Sequence, residues 1–352
     1  MSRHDQFVAV ANMAGISTTT ISVTRADVVR FFCSQFEAMG APVERLLEQC
    51  AIPPQVLDIP GAVIPLGNAY QFAQLACSSL HSEHLGLYVG LANSLENYGV
   101  YGRSLQNAST VGAYLQQGID HLNTVNSGER FWTSVHGAEL RFNIASPGAC
   151  TLGSHQSHLC TLVMTVANLR RAAGPEWWPR EIGLAYNGSE TVPSLDLFAN
   201  AHVVQGLEHS YVTIPRALMR RRLPGHAGAN ASGMETLADP LPTDVIGVVM
   251  RQVDALTADC RDLRIDRIAE SLGISRRTLQ RAIGRRGFTY FGLLNEYRMR
   301  KAGEWLDRSE TPITEIALEL GYTDSSNFAR AFRRHSGLSP SEYREQGLRG
   351  FD

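Results

Sequence analysis

Two sets of polar side chains near the C-terminus have the types and spacing that bind double-stranded DNA. Arg and Gln can form paired hydrogen bonds with guanine and adenine in the major groove, and Arg, Ser and Asn also bind phosphate oxygens. Both sets would occupy the exposed face of a helix. We therefore predict DNA contacts at Ser275, Arg276, Arg277, Gln280 and Arg281 in the first set, and at Ser325, Ser326, Asn327, Arg330, Arg333 and Arg334 in the second, with Arg333 and Arg334 assigned to phosphates.

The element that must position each set is a helix-turn-helix, whose pattern occurs twice, about 48 residues apart. In the first copy the small residue Ala269 stands where two helices would cross, and Gly273 can adopt the positive φ of a tight turn. Ser275 is then a suitable N-cap for a second helix. The second copy repeats the pattern with Ala317, Gly321 and a cap at Asp324 or Ser325.

A helix predicted over residues 290–307 joins the two copies, and its apolar residues share one side. Such a helix would fix the distance between two DNA-reading helices. On one face of B-DNA, paired reading helices enter successive major grooves roughly 34 Å apart. The alternative from these residues alone is an ordinary amphipathic helical bundle.

Length and charge agree with a DNA-binding protein of two domains. The 352-residue chain is 44% hydrophobic, enough for two cores, and its formal net charge is −2. Residues 251–352 contain 18 Lys+Arg and 15 Asp+Glu, a net charge of +3, whereas residues 1–250 have a net charge of −5. Lys301 is the only lysine, so contacts with phosphates and bases would depend on Arg.

The sequence has no apolar run of 18 residues and no signal-peptide pattern, so we expect a cytoplasmic protein without a membrane partner. Its cysteines are scattered, without a C-x-x-C pair, and we expect reduced, mostly buried thiols. They are Cys33, Cys50, Cys77, Cys150, Cys160 and Cys260.

The N-terminal region mixes helical and extended patterns. Apolar residues have helical spacing over residues 27–40, 43–50, 64–81 and 111–122. Alternation typical of strands occurs over residues 130–135, 139–144 and 181–185. We therefore predict an α+β domain in this region.

A stretch rich in Gly, Ala and Pro separates this region from the two helix-turn-helix copies, as a linker would. A helix over residues 244–258 would open the second domain. The predicted organisation is an α+β N-terminal domain at 1–220, a linker at 221–243, and an all-α DNA-binding domain at 244–352 with two helix-turn-helix units joined by a linking helix.

Residues 316–344 closely resemble the signature of the AraC/XylS family of bacterial transcription regulators, and the likeness extends over about residues 244–346. Gly337, Pro340, Tyr343 and Arg344 match the family's last helix, while Tyr322 stands where Phe is commoner. The resemblance implies a sequence-specific regulator, an activator, whose partners are promoter DNA and RNA polymerase.

The N-terminal half is similar to the arabinose-binding-like domain of one branch of this family, at residues 85–90 and 178–182. This second resemblance implies a domain that senses a small molecule, forms a homodimer, or does both, and it does not identify the molecule. Effector pockets are largely apolar. Aromatic candidates for lining one are Trp132, Phe142, Trp177, Trp178 and Tyr211.

Three alternatives concern the N-terminal half. Cys150 lies between glycines, loosely like a strained nucleophile turn, and His155 or His158 would be its base in an enzyme-like domain. The same two histidines with Cys160 could share a helical face as metal ligands, but no fourth ligand is evident. The third alternative is an architectural DNA binder whose N-terminal domain only dimerises. We predict a protein that is not an enzyme and holds no metal and no cofactor.

Overall fold

The computed structural model describes residues 21–190, 192, 196–224, 239–259 and 263–348. The chain divides into two compact units, residues 1–248 with 270–274, and residues 249–269 with 275–352. Most of the predicted linker at 221–243 lies outside the described residues, as does Cys260. The domain boundaries at 220 and 243 therefore stay predictions.

The first unit is an α+β domain, and four of its helices confirm those expected from apolar spacing. They are α1 (Ala26–Ala38), α2 (Val43–Gln49), α3 (Leu66–Leu80) and α6 (Val111–His121). Three further helices were not predicted, namely α4 (Leu85–Ala92), α5 (Gly99–Gln106) and α7 (Leu152–Ala173). Short 3-10 helices occupy Pro54–Asp58, Leu95–Tyr98, Leu122–Thr124, Asp196–Phe198 and Arg216–Arg220.

In the described residues of this unit, seven strands form two sheets. They are β1 (Val23–Arg25), β2 (Val63–Pro65), β3 (Arg130–His136), β4 (Glu139–Ala145), β5 (Glu181–Gly183), β6 (His202–Val204) and β7 (Ser210–Pro215). Strands β1 and β2 pair with each other, and the larger sheet has the order β3-β4-β7-β5-β6, with only β5 and β6 parallel. The predicted hairpin is confirmed: β3 and β4 turn at Gly137, whose φ of 64° suits glycine.

The 22-residue helix α7 is the central helix of the first unit, and most of its side chains are buried. A capping box starts it: the Thr151 hydroxyl accepts the Ser154 N–H, and the Ser154 hydroxyl accepts the Thr151 N–H. Helix α4 packs very closely on α7, because a Cβ at Gly86 would lie 2.2 Å from the carbonyl oxygen of Gln156. The Gly86 N–H donates to the Gln156 side chain at 2.8 Å.

The second unit is all helical, so the predicted fold class is confirmed for both halves. Its helices, of which α8 and α9 each include a few residues of the first unit, are α8 (Val245–Asp259), α9 (Ile265–Ser271), α10 (Arg276–Gly284), the linking helix α11 (Tyr290–Arg308), α12 (Ile313–Glu319), α13 (Ser325–Ser336) and α14 (Pro340–Leu348). Helices α11 to α14 enclose an apolar cluster that includes Ala317, Phe328 and Phe332. An ion pair of 2.9 Å between Lys301 and Asp254 links α11 to α8.

Two expectations from composition concern helices and thiols. No helix in the described part of the chain has the length and apolar character needed to cross a membrane.

Five of the six cysteines are described, all as free thiols: Cys150 is half-buried and the other four are buried. Burial raises the pKa of Cys33, Cys50 and Cys77 to about 12. Four of these five thiols are thus buried, in line with the expected burial.

Candidate nucleic-acid interface

Helix α10 presents the first predicted set of DNA contacts on its exposed side. The Ser275 hydroxyl caps the helix by accepting the Thr278 N–H at 3.1 Å. Leu279 and Ile283 are completely buried, so the opposite face is directed to solvent. That face exposes Ser275, Arg276, Arg277, Gln280 and Arg281.

The turn before α10 has the predicted geometry. Gly273 has a φ of 62°, in the left-handed region where other residues are strained. Across the turn, the Arg276 guanidinium lies 3.3 Å from the Asp266 carboxylate, and both side chains are more than half exposed. Exposed pairs of this kind contribute about 1 kcal/mol or less, so Arg276 can exchange this partner for a phosphate at little cost.

Helix α13 presents the second set. Of the two caps considered from the sequence, the structure has Asp324, whose carboxylate accepts the Asn327 N–H at 2.7 Å. Backbone hydrogen bonding lowers the pKa of Asp324. Phe328 and Phe332 anchor the helix to the core. Ser325 is half-buried, and the exposed residues are Ser326, Asn327, Arg330, Arg333 and Arg334.

A short chain of hydrogen bonds orders part of this second face. The Asn327 amide nitrogen donates to Asp324, and the Asn327 amide oxygen accepts from the Arg330 guanidinium at 2.6 Å. The orientation of Asn327 is therefore set from both ends. Part of the side-chain entropy that DNA binding would cost is already lost in the free protein.

The residue that departs from the family pattern, Tyr322, packs as a phenylalanine would. Its ring contacts Phe328 edge to face, with 5.5 Å between ring centroids. The Tyr322 hydroxyl donates to the Asn295 side chain at 3.4 Å, and the Arg298 guanidinium lies over the Tyr322 ring. The extra hydroxyl is thus placed without disturbing the core of the second helix-turn-helix.

The first unit contains a partly open cavity of about 120 Å³. Side chains from α1, α3, α5, α6 and α7 line it together with residues of the β3–β4 hairpin. The lining is mostly apolar, with four tyrosines and one carboxyl group among its polar residues: Tyr70, Tyr98, Tyr101, Tyr114 and Glu129. This composition is typical of small-molecule pockets.

Of the five aromatic residues predicted to line a pocket, Phe142 lines this cavity. Trp132 packs on His209 on the sheet, and the Tyr211 hydroxyl donates to Glu181 at 2.6 Å. The Trp178 indole donates to the Asp196 carbonyl oxygen, and Trp177 lies beside it in the chain, half-buried. The tyrosines and Glu129 were missed because they come from distant segments and share no sequence motif.

The pair proposed for an enzyme-like site is arranged unfavourably for nucleophilic catalysis. The Cys150 sulfur lies 3.9 Å from Nδ1 of His158, but each His158 nitrogen already has a serine partner, Ser146 at 2.8 Å and Ser210 at 2.9 Å. Burial raises the pKa of the Cys150 thiol and lowers the pKa of His158 to about 4. Both effects disfavour the thiolate–imidazolium pair that such a nucleophile needs.

The potential metal ligands that lie close together in the structure are not the ones suggested from the sequence. His155, His158 and Cys160 all lie on α7. Among the described residues, however, the ligand atoms that come within 4.8 Å of one another belong to Glu83, His84 and Glu190. The Glu83 carboxylate accepts the Glu190 N–H at 3.0 Å, and the Glu190 carboxylate accepts the Glu83 N–H at 2.9 Å. These carboxylates join two loops reciprocally, which accounts for their proximity.

Known proteins resemble both halves of the chain. A model of the arabinose-binding N-terminal domain of AraC transcription regulators matches residues 40–223, and a helix-turn-helix domain model matches residues 268–346. The Ornithine utilization regulator of Pseudomonas aeruginosa is 26% identical over 316 residues, which are 87% of this chain and 91% of that protein.

One further match is a shorter stretch of sequence, and another is a solved structure. The HTH-type transcriptional activator RhaS of Escherichia coli is 40% identical over 87 residues, 24% of this chain and 31% of RhaS. The crystal structure of the transcriptional regulator CdpR from Pseudomonas aeruginosa has 22% identity and a TM-score of 0.41, over 88% of this chain and 98% of CdpR. The N-terminal model alone covers more than half of the sequence. The chain therefore belongs to the AraC family of DNA-binding transcription regulators, in the branch with the arabinose-binding N-terminal domain.

Proposed function

We propose that this regulator is a cytoplasmic transcription activator that reads two neighbouring DNA sites with α10 and α13 and acts on RNA polymerase. The observation that carries the proposal is the pair of capped helices, each with buried apolar residues on one side and exposed Arg, Gln or Asn on the other. The similarity of the second unit to RhaS, named as an activator, supports the direction of regulation.

Residues of α10 would read bases, and two arginines of α13 would bind phosphates. Arg277 and Gln280 lie one helical turn apart on the exposed face of α10, where their side chains suit guanine and adenine. Arg333 and Arg334 lie near the C-terminal end of α13 and would bind phosphates. Charge in this unit, net +3 over residues 251–352, favours the approach to DNA.

The test is fluorescence anisotropy of the full chain with DNA from a random-site selection, at several salt concentrations. Arg277→Ala should cost about 1 to 3 kcal/mol on the selected site and relax the preference at one base pair. Arg334→Ala should weaken binding to all sequences alike and reduce the salt slope by about one unit. Arg308→Ala, an exposed arginine outside both reading helices, is the matched control and should change neither quantity.

Equal, sequence-independent losses for Arg277→Ala and Arg334→Ala would refute the division of roles. Failure of the selection to enrich any sequence would refute the proposed reading of two sites.

For the first unit, we propose that the 120 Å³ cavity binds a small apolar effector, and that the ligand shifts the regulator between two states of different DNA affinity. The proposed organisation is a sensor domain at 1–220, which also forms the homodimer, a linker at 221–243, and a DNA-binding domain at 244–352. A ligand that binds only the folded state raises stability by about 2.7 kcal/mol at 100 times its Kd.

A thermal-shift screen against the full chain tests this part. It uses small apolar compounds and, as a separate charged probe, ornithine, which the name of one relative contains. Upward shifts that disappear when Ala69, which lines the cavity, is replaced by Phe would support the cavity as the site. A flat response over the whole screen would favour a domain that only dimerises. Cys150→Ala should leave the DNA response intact, and its loss would revive the enzyme-like alternative.

A further inference from the structure

Glu129 supplies the one carboxyl group among the described residues that line the cavity. Glu129 is half-buried and belongs to the lining of the cavity. The backbone at this point is fixed by Asn126, whose side-chain oxygen accepts the N–H groups of Gly128 at 2.8 Å and Glu129 at 3.0 Å. The carboxyl group is therefore held in place at the cavity wall.

The carboxyl group has acceptor capacity left for a ligand. The Tyr70 hydroxyl donates to Oε1 of Glu129 at 2.7 Å. Ser157, which also lines the cavity, is a second side-chain hydrogen-bond partner of this carboxyl group. A carboxylate offers about four lone-pair sites, so these two bonds still leave others open. The hydroxyls of two other lining tyrosines are occupied elsewhere: Tyr98 bonds to Asn93, and Tyr101 donates to the Gly118 carbonyl oxygen.

No cation faces this carboxyl group within the described lining of the cavity, which contains no Arg, Lys or His. Burial raises the pKa of Glu129, and its hydrogen bonds with Tyr70 and Ser157 oppose this rise. A ligand with its own carboxylate or phosphate would bring a second negative group into an apolar space without a partner, at a large desolvation cost. A protonated amine would supply the partner that the chain does not provide.

Building on the cavity-binding function proposed above, we propose that the effector is a small amine with an apolar body, whose ammonium group pairs with Glu129. The volume limits that body, since a cavity of about 150 Å³ holds one benzene ring. The 120 Å³ available is somewhat smaller but partly open, so the body is limited to one ring or a short alkyl chain. The charge-assisted hydrogen bond selects the amine, and the tyrosines and aliphatic side chains accommodate the remainder.

The test is calorimetric titration of the full chain with four probes that share a phenylethyl body: 2-phenylethylamine, 2-phenylethanol, propylbenzene and 3-phenylpropionate. The amine should bind about tenfold more tightly than propylbenzene, as a charge-assisted hydrogen bond would provide, and 3-phenylpropionate should bind most weakly. This order is measured on the unaltered protein and depends on no variant.

Variants then assign the selectivity to one carboxyl group. Glu129→Gln keeps the shape and can still accept from Tyr70, so it should remove the preference for the amine while propylbenzene still binds. Tyr70→Phe keeps the carboxyl group and should keep the preference. Glu44→Gln, the same change on the exposed surface of α2, is the matched control and should behave like the unaltered protein.

The outcomes separate this inference from the function on which it depends. Binding of 3-phenylpropionate as tightly as the amine, or an unchanged preference in Glu129→Gln, would overturn the amine assignment and leave the cavity as a ligand site. Absence of binding by all four probes would overturn both.

Discussion

Acid should destabilise the first unit through a buried histidine. His155 lies on α7 with its ring against Tyr186, at 4.9 Å between centroids, and against His84, at 5.8 Å. Neither ring nitrogen has a hydrogen-bond partner among the described residues. Burial, with smaller contributions from His84 and His158, lowers the pKa of His155 from 6.5 to about 3.

The sign and size of the effect follow from proton linkage. Below pH 6.5 the unfolded chain binds a proton at this histidine, whereas the folded chain does so only near pH 3. The unfolded state therefore gains relative stability as the pH falls from 6.5 toward 3. Between pH 7 and pH 5 one such histidine lowers the free energy of unfolding by about 2 kcal/mol.

Urea unfolding at pH 7 and pH 5, followed by circular dichroism, measures this loss. His155→Phe keeps the ring contacts and removes the titrating group, so its loss between the two pH values should be smaller than that of the unaltered protein by about 2 kcal/mol. His136→Phe makes the same replacement at an exposed position and should leave the loss unchanged. An equal loss in all three proteins would refute the reasoning.

Three further predictions concern packing and capping, and urea unfolding tests each. Gly86→Ala should destabilise by about 1 to 3 kcal/mol, because its Cβ would lie 2.2 Å from the Gln156 carbonyl oxygen, and stability at or above the unaltered level would contradict the close approach of α4 and α7. Gly118→Ala, whose Cβ would have its nearest neighbours at 3.7 Å, should stabilise α6 by about 0.5 to 1 kcal/mol. Gly112→Ala on the same helix meets the Met219 carbonyl oxygen at 3.0 Å and should gain less, so equal gains would exclude this steric explanation. Thr289→Ala should cost about 1 kcal/mol by removing the cap of α11, Thr289→Ser should restore it, and an equal cost for both would show that the hydroxyl is not the cause.

The DNA-binding half could be predicted in detail because its signals are local. An alanine at the helix crossing, a glycine turn and a capping hydroxyl or carboxylate follow one another within a few residues, and each depends only on nearby backbone. The structure has a φ of 62° at Gly273 and 78° at Gly321, and Ala269 and Ala317 are buried. The sequence left Asp324 and Ser325 as alternatives for the second cap, and the structure shows that Asp324 is the cap.

The N-terminal half could be predicted only in outline. Helix α7 gives no apolar stripe, because it is buried around most of its circumference and includes polar residues with distant partners. Gln156, for example, bonds to Gly86 and to the Glu83 carbonyl oxygen, about 70 residues away in the chain. Glu129 likewise has no sequence motif around it. Its proposed role in ligand binding depends on a cavity whose lining comes from segments between residues 24 and 165.

The single lysine has a practical consequence for handling this protein. Acylating reagents and acetylating enzymes act on amines, and Lys301 offers the chain's one side-chain amine, held by Asp254 between α8 and α11. The proposed DNA contacts include only guanidinium groups as their cations, which such chemistry does not neutralise. An amine-directed dye can therefore be attached without altering the charge of α10 or α13, and lysine acetylation would not neutralise any cation on those two helices.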